Sequence, residues 1–146
     1  MSRKLTLDDI ADLRAYERER EQFRHDVIAL KKRRRVPIGP SITVVFENRD
    51  TIRFQIQEMA RVEKIISDEG ITTELATYNP LIPEPGQLRL TMFIELVTDA
   101  ELREWLPRLV GIEQALTLRA GPEAIEWSAT TEAAHASQLT RDEITA

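Results

Sequence analysis

Few side chains in this sequence have the identity and the spacing to do chemistry. Cysteine is absent from all 146 residues, which removes thiol nucleophiles, disulfides and cysteine-held iron–sulfur clusters together. Histidine stands only at positions 25 and 135, so one chain cannot assemble a three-histidine metal site. Glu132-Ala133-Ala134-His135 has the Glu-x-x-His spacing that puts two ligands on one helix face. A carboxylate-bridged di-iron bundle needs two such motifs and two further glutamates, so the match is read as chance, and neither a metal nor a cofactor is expected. The five glycines, at 39, 70, 86, 111 and 121, are too scattered to gather backbone amides around a phosphate. That excludes the dinucleotide fingerprint and the P-loop.

What remains is polar, and no residue is assigned a catalytic role. Asn48, Arg49, Asp50, Gln57, Glu58, Arg61, Glu63, Tyr78 and Asn79 could line one ligand or partner site if folding gathers them. Glu63 is the most pointed of these, because on a helix it shares the direction of Ile52, Ile56 and Met59. A carboxylate there is either ion-paired at the edge of the core or shifted upward in pKa, and the ion pair is the preferred reading. His25 follows Glu21 by four residues and reads as a solvated helical pair. Lys31, Lys32, Arg33, Arg34 and Arg35 could hold phosphates, but few aromatic stacking platforms lie near them, and cations in a last helical turn already offset the helix dipole. Trp105 and Trp127 are read as core.

The elements that must position these residues follow from periodicity and capping chemistry. Thr6 and Asp9 form a capping-box pattern before an apolar stripe of Leu13, Tyr16, Phe23, Val27 and Leu30, which predicts a long helix over 7–34. The stripe also resembles a heptad, so homodimerisation through this helix is an expectation to test. Residues 36–40, with two prolines and a glycine, read as an extended connector, and 41–47 as a strand. Residues 51–57 alternate as a strand would, yet Ile52, Ile56, Met59, Val62 and Ile66 share one helical face after an Asp50 cap, and a helix over 51–68 is the reading adopted. Gly70 is expected to close it, two further helical turns to run over 71–78, and the proline-rich loop 78–86 to be ordered.

Residues 87–97 read as a second strand, and a helix capped by Thr98 or Asp99 is cut short by Pro107. Residues 115–119 and 123–130 form a hairpin expected to complete an antiparallel sheet, while 131–146 are expected to fray. The sum is an α+β fold: a long N-terminal helix and one or two further helices packed on a small, mainly antiparallel sheet. One domain over 1–130 is expected, since no repeat or change of composition divides the chain.

Bulk composition sets the outer limits. Apolar residues make up 42% of the chain and charged residues 31%, with no apolar run long enough to cross a bilayer. The N-terminus runs into aspartates instead of an apolar stretch, so it does not read as a secretory signal, and a cytoplasmic location is expected. The net charge of -5 is uneven: residues 1–35 carry 11 Lys/Arg against 7 Asp/Glu. A basic segment on an acidic body admits an anionic partner, but a pI near 5.2 is low for a nucleic-acid binder, and none is expected.

The strings Phe46-Glu47-Asn48-Arg49-Asp50-Thr51, Gln55 to Glu63 (QIQEMARVE) and Tyr78-Asn79-Pro80-Leu81-Ile82-Pro83 resemble a bacterial family catalogued as a domain of unknown function, number thirty-five hundred and one. The likeness extends to Leu5-Thr6-Leu7-Asp8-Asp9, to Lys31 through Val36 and to Leu109 through Glu113, and so covers roughly residues 5–128. The resemblance implies a setting, not an activity: members tend to be encoded beside rubrerythrin-like proteins and iron–sulfur oxidoreductases. It also implies one more aromatic and apolar strand after the Thr145 region, from which this chain departs. The leading expectation is a non-enzymatic accessory or interaction protein serving a peroxide-stress or electron-transfer system, with a redox protein as partner. The alternatives are a small-ligand binder or enzyme using the 48–79 polar cluster, and an RNA-associated protein using the 31–35 run.

Overall fold

Helix starts and strand pairings decide how the chain folds, and several fall where the side chains direct them. The computed structural model describes residues 3–122 and 125–128. Its contacts divide the chain into two units, Met1–Ile94 and Glu95–Ala146.

In the first unit the Thr6/Asp9 capping box forms, but it caps only a 3-10 turn, Leu7–Asp9, after which Ile10 is extended. The long helix α1 starts afresh at Leu13–Arg34, where the Asp12 side chain accepts from the Ala15 amide. The single predicted helix over 7–34 is therefore two pieces. The expected connector at 36–40 is instead an edge strand, β1 (Arg35–Ile38), paired antiparallel with β2 (Ile42–Phe46). Pro37 is tolerated because the strand lies at the edge, and Gly39, at φ +65°, makes the turn.

Helix α2 (Arg49–Glu63) resolves the ambiguity at 51–57 in favour of helix. Its cap is Asn48, not Asp50: the Asn48 side chain accepts from the Thr51 amide at 2.9 Å, and the Thr51 hydroxyl accepts from the Asn48 amide at 2.9 Å. The helix ends earlier than expected, at Lys64 in the left-handed region (φ 55°). Gly70 does not close it. This glycine lies in the first turn of α3 (Asp68–Tyr78), where a Cβ would stand 2.5 Å from Ile65 Cγ2, so it permits the loop before α3 to approach closely. The proline loop is ordered, with a 3-10 turn at Asn79–Leu81 and Ile82 fully buried.

β3 (Leu90–Ile94) pairs antiparallel with β2, giving the order β1-β2-β3. Directly opposed residues share a face. One face thus carries the rows Val36–Val44–Met92 and Ile38–Ile42–Ile94, apolar throughout. The core cluster is built from the N-terminal segment, α2, α3 and the proline loop: Leu5, Ile52, Ile56, Ala60, Ile71, Leu75 and Ile82. Burying each isoleucine contributes about 2 kcal/mol.

In the second unit α4 (Asp99–Trp105) starts at a Thr98/Glu101 capping box and passes at Pro107 into a 3-10 turn, Leu106–Arg108. Backbone amides of Val97 and Thr98 donate to the Glu101 carboxylate and lower its pKa. Trp105, expected in the core, is exposed, with the Arg108 guanidinium 5.5 Å from its ring centroid. β4 (Thr117–Ala120) and β5 (Ile125–Ser128) pair as a separate two-stranded sheet; they do not extend the first one as expected. The expectations for the Trp127 side chain, for Glu132 and His135, and for 131–146 fall outside the described residues. The architecture is α+β, with a long N-terminal helix and a small antiparallel sheet.

Candidate functional site

The polar residues between 47 and 79 work mostly on the chain's own backbone. Gln57 on α2 is fully buried; its Oε1 accepts from the Ala11 amide at 2.8 Å and its Nε2 donates to the Ala11 carbonyl at 3.1 Å. Asn79, after α3, repeats the arrangement on Leu5: Oδ1 accepts from the Leu5 amide at 2.8 Å and Nδ2 donates to the Leu5 carbonyl at 2.9 Å. A primary amide is suited to this, since it offers an acceptor and a donor side by side, as a peptide group does. Arg53 Nε donates to the Asp9 carbonyl at 2.8 Å, and the Arg49 guanidinium pairs with the Asp9 carboxylate at 2.7 Å. The Thr6 amide and Arg49 hold the Asp9 carboxyl below the usual carboxylate range. Segment 4–11 is thereby strapped over the core cluster.

A second polar group sits where β2 meets α2. Glu47, 8% exposed, accepts from the Thr91 hydroxyl at 2.7 Å and from the Thr51 hydroxyl. Arg34, at the end of α1, donates to the carbonyls of Phe46 at 2.7 Å and Glu47 at 3.2 Å. Both arrangements satisfy groups that would otherwise be costly to bury. Beside them lies an open depression of about 160 Å³ lined by Arg3, Asn48, Arg49, Asp50, Ile82 and Pro83.

Along the α1–α2 contact, Glu58 pairs with Arg20 at 3.0 Å, Arg61 with Glu17, and Arg53 with Glu19 at 2.7 Å. The Glu17 carboxylate raises the Arg61 pKa further. Tyr16 is fully buried here, and its hydroxyl makes no hydrogen bond of ordinary geometry, with the Glu58 carboxylate close enough to act on it. Burial, reinforced by the Glu58 charge, pushes its phenol up to about 12. Tyr16, Phe23 and Phe54 form successive edge-to-face contacts, with Arg53 over Phe23 and Lys31 over Phe54. The apolar stripe of α1 is thus met by α2 within the same chain.

The structure therefore gathers only part of the predicted cluster. Asn48, Arg49 and Asp50 share the depression; Arg49, Gln57 and Asn79 converge on the strap; Glu58 and Arg61 face α1; Tyr78 packs on the core. Glu63 is a correction. It lies in the last turn of α2, beyond Ala60 where the buried side ends, and it is exposed, contributing only a charge that helps raise the pKa of Glu74 after burial has done most of that work. The buried carboxylate is Glu47, legible in principle because strand alternation puts it on the same face as Thr43 and Val45. His25 is exposed as expected, but its neighbour is Asp26, at 3.5 Å, and not Glu21. In the basic run, Lys31 and Arg34 are engaged with Phe54 and backbone carbonyls, while Lys32, Arg33 and Arg35 are exposed.

Among the described residues no three His, Asp or Glu side chains are placed to hold a metal ion, and no helix is long and apolar enough to cross a membrane. The apolar face of the sheet is only partly covered: Val36 is 44% exposed, Ile38 40% and Ile94 36%, next to half-buried Ile42.

Comparison with known proteins relates the chain to a family and to a solved structure. The model of a family described as Protein of unknown function (DUF3501) matches residues 4–142. A crystal structure of a novel protein of unknown function from Burkholderia pseudomallei K96243 superposes with a TM-score of 0.81 at 43% sequence identity, covering 86% of this chain and 71% of that one. No curated protein matches.

Proposed function

This chain belongs to the DUF3501 family of proteins of unknown function, and from that premise we infer that it is an interaction protein that docks on a partner through the open end of its three-stranded sheet. The observation that carries this reading is the exposed row Ile38–Ile42–Ile94 with Val36 beside it. An aliphatic cluster left in water on an otherwise well-satisfied unit is the kind of surface a partner covers. Arg35 pairs with Val45 on the opposite face of the sheet, so the row itself is aliphatic. The surface fits a partner that presents an apolar residue at its centre. The setting that the family resemblance implies makes a redox protein the partner proposed, with this chain as accessory to a peroxide-stress or electron-transfer system.

The competing readings draw less support. The depression at Asn48–Asp50 is smaller than the roughly 300–1,000 Å³ of ordinary ligand pockets, and its Arg49 is paired with Asp9. The basic run has two of its five cations turned to internal work, which reduces what it can offer to RNA phosphates.

Affinity capture from the native host, with the tagged wild-type chain beside Ile38→Lys, tests the reading. A redox protein retained by the wild type and released by the substitution is the expected result. Retention of the same proteins by both chains, or of no redox protein by either, would count against it.

A further inference from the structure

We propose that this chain pairs with a second copy of itself along the outer edge of β3, antiparallel and centred on Met92, so that two three-stranded sheets join into one. The hydrogen-bond phase of the sheet carries the inference. The Glu47 amide donates to the Arg89 carbonyl at 2.8 Å, which makes 47 and 89 a bonded pair at the β2–β3 seam. Alternation follows from there. Thr91 and Phe93 turn their main chain toward Val45 and Thr43, while Leu90, Met92 and Ile94 turn theirs away from β2. β3 ends the strand order, and among the described residues nothing bonds those outward amides.

The opposite edge is built differently. By the same phase, Val36 and Ile38 bond to β2, and Arg35 and Pro37 face outward. Pro37 has no amide hydrogen and Arg35 brings a charge, so that edge resists a further strand. The β3 sequence, Leu90-Thr91-Met92-Phe93-Ile94, has neither proline nor charge. One edge is guarded and the other is not.

A second copy fits the open edge by construction. With the two-fold axis at Met92, Leu90 meets the partner's Ile94, Met92 meets its own counterpart, and every outward amide of β3 finds an outward carbonyl. A shift of two residues either way sets Leu90 or Ile94 opposite a residue outside β3. The side chains agree with this register. On one face the new pairs are apolar throughout and carry the row Val36–Val44–Met92 across the seam. On the other, Phe93, 43% exposed, comes beside the partner's Thr91, an aromatic and β-branched pair. The seam runs along main chain, so the aliphatic face stays open and this pairing stands apart from the docking reading above. Five paired residues lie at the low end of specific interfaces, so the pair is reversible and forms at micromolar concentrations.

Because the chain has no cysteine, a single introduced one reports the register. Bonded antiparallel partners stand about 5.5 Å apart at Cα, within disulfide reach, whereas residue 90 and its counterpart would be about 13 Å apart. Under mild oxidation of the full-length chain at about 100 µM, Met92→Cys should become mostly covalent dimer. Leu90→Cys alone should stay monomeric, and mixed with Ile94→Cys it should cross-link to it. Equal cross-linking by Leu90→Cys and Met92→Cys, or none by any folded variant, overturns the inference. Sedimentation supplies a second readout. Met92→Pro removes an outward amide and leaves the β2 bonds intact, so it should weaken the wild-type dimer about tenfold or more. A wild type that stays monomeric at every concentration, or a folded Met92→Pro that dimerises as tightly, overturns it as well.

Discussion

Two regions of the first unit use their side chains in opposite senses. Under the strap, polar groups point inward: Gln57 and Asn79 hold main chain, and Glu47 is enclosed by two threonine hydroxyls. At the open end of the sheet, aliphatic groups point outward in the row Ile38–Ile42–Ile94. Buried polar groups that are fully satisfied specify a single arrangement and leave little chemistry for a ligand. The exposed part of an aliphatic row adds little to the isolated fold. Residue type is therefore a poor guide to where this protein meets other molecules; what each side chain already touches is a better one.

The contrast can be broken at either region. The largest effect is expected for Gln57→Ala, which leaves the Ala11 amide and carbonyl without partners and opens a void: stability should fall by about 2–4 kcal/mol in urea unfolding. A loss below about 0.5 kcal/mol would mean that the clamp holds nothing. Next comes Asn48→Ala, expected to cost about 1 kcal/mol through the α2 cap while leaving partner capture unchanged.

Tyr16→Phe should act with the opposite sign. Removing a buried hydroxyl that makes no hydrogen bond of ordinary geometry is expected to stabilise the chain by about 1 kcal/mol in the same assay. It also changes the alkaline limb. The Tyr16 phenol is pushed up to about 12 from an ordinary 10.0, so the unfolded chain loses this proton first, and stability falls as pH rises from 10.0 toward 12. The variant should lack that fall.

The smallest effect belongs to Asp9. Its pKa is lowered from 3.8, so its contribution is present above that pH and is lost as pH drops through the folded value. Asp9→Asn should flatten this part of the acid limb, and an unchanged limb would place the strap's acid sensitivity elsewhere.

Much of the fold was legible because local signals agreed with the tertiary result. The 3.6-residue stripe of α1, the apolar face of α2, the β-branched run of β2 and the Thr98 cap each point to the element that forms. The misreadings arose where a local rule met a longer-range one. Residues 36–40 look like a connector because of their prolines and glycine, yet an edge strand needs few of its own amides, and β2 was there to pair with 35–38. Gly70 looks like a helix stop, but it answers to Ile65 in the preceding loop. Glu63 fits the helical face by angle, whereas burial depends on what α2 packs against, and that contact ends at Ala60.

The candidate cluster was legible as residues and not as roles. Gln57 and Asn79 stand out in the sequence, but their partners, Ala11 and Leu5, are 46 and 74 positions away and contribute only backbone, which no residue pattern reveals. The exposed row is equally silent, since Ile42 and Ile94 read as strand interior and Ile38 as connector until the register shows them side by side at an open end.

The most direct test compares Ile38→Lys with Gln57→Ala in one experiment, measuring thermal stability and binding to the captured partner below both melting temperatures. The account predicts that Ile38→Lys abolishes binding with a stability change within about 0.5 kcal/mol, while folded Gln57→Ala binds as wild type despite its large loss of stability. Binding that survives Ile38→Lys and disappears in folded Gln57→Ala would contradict it.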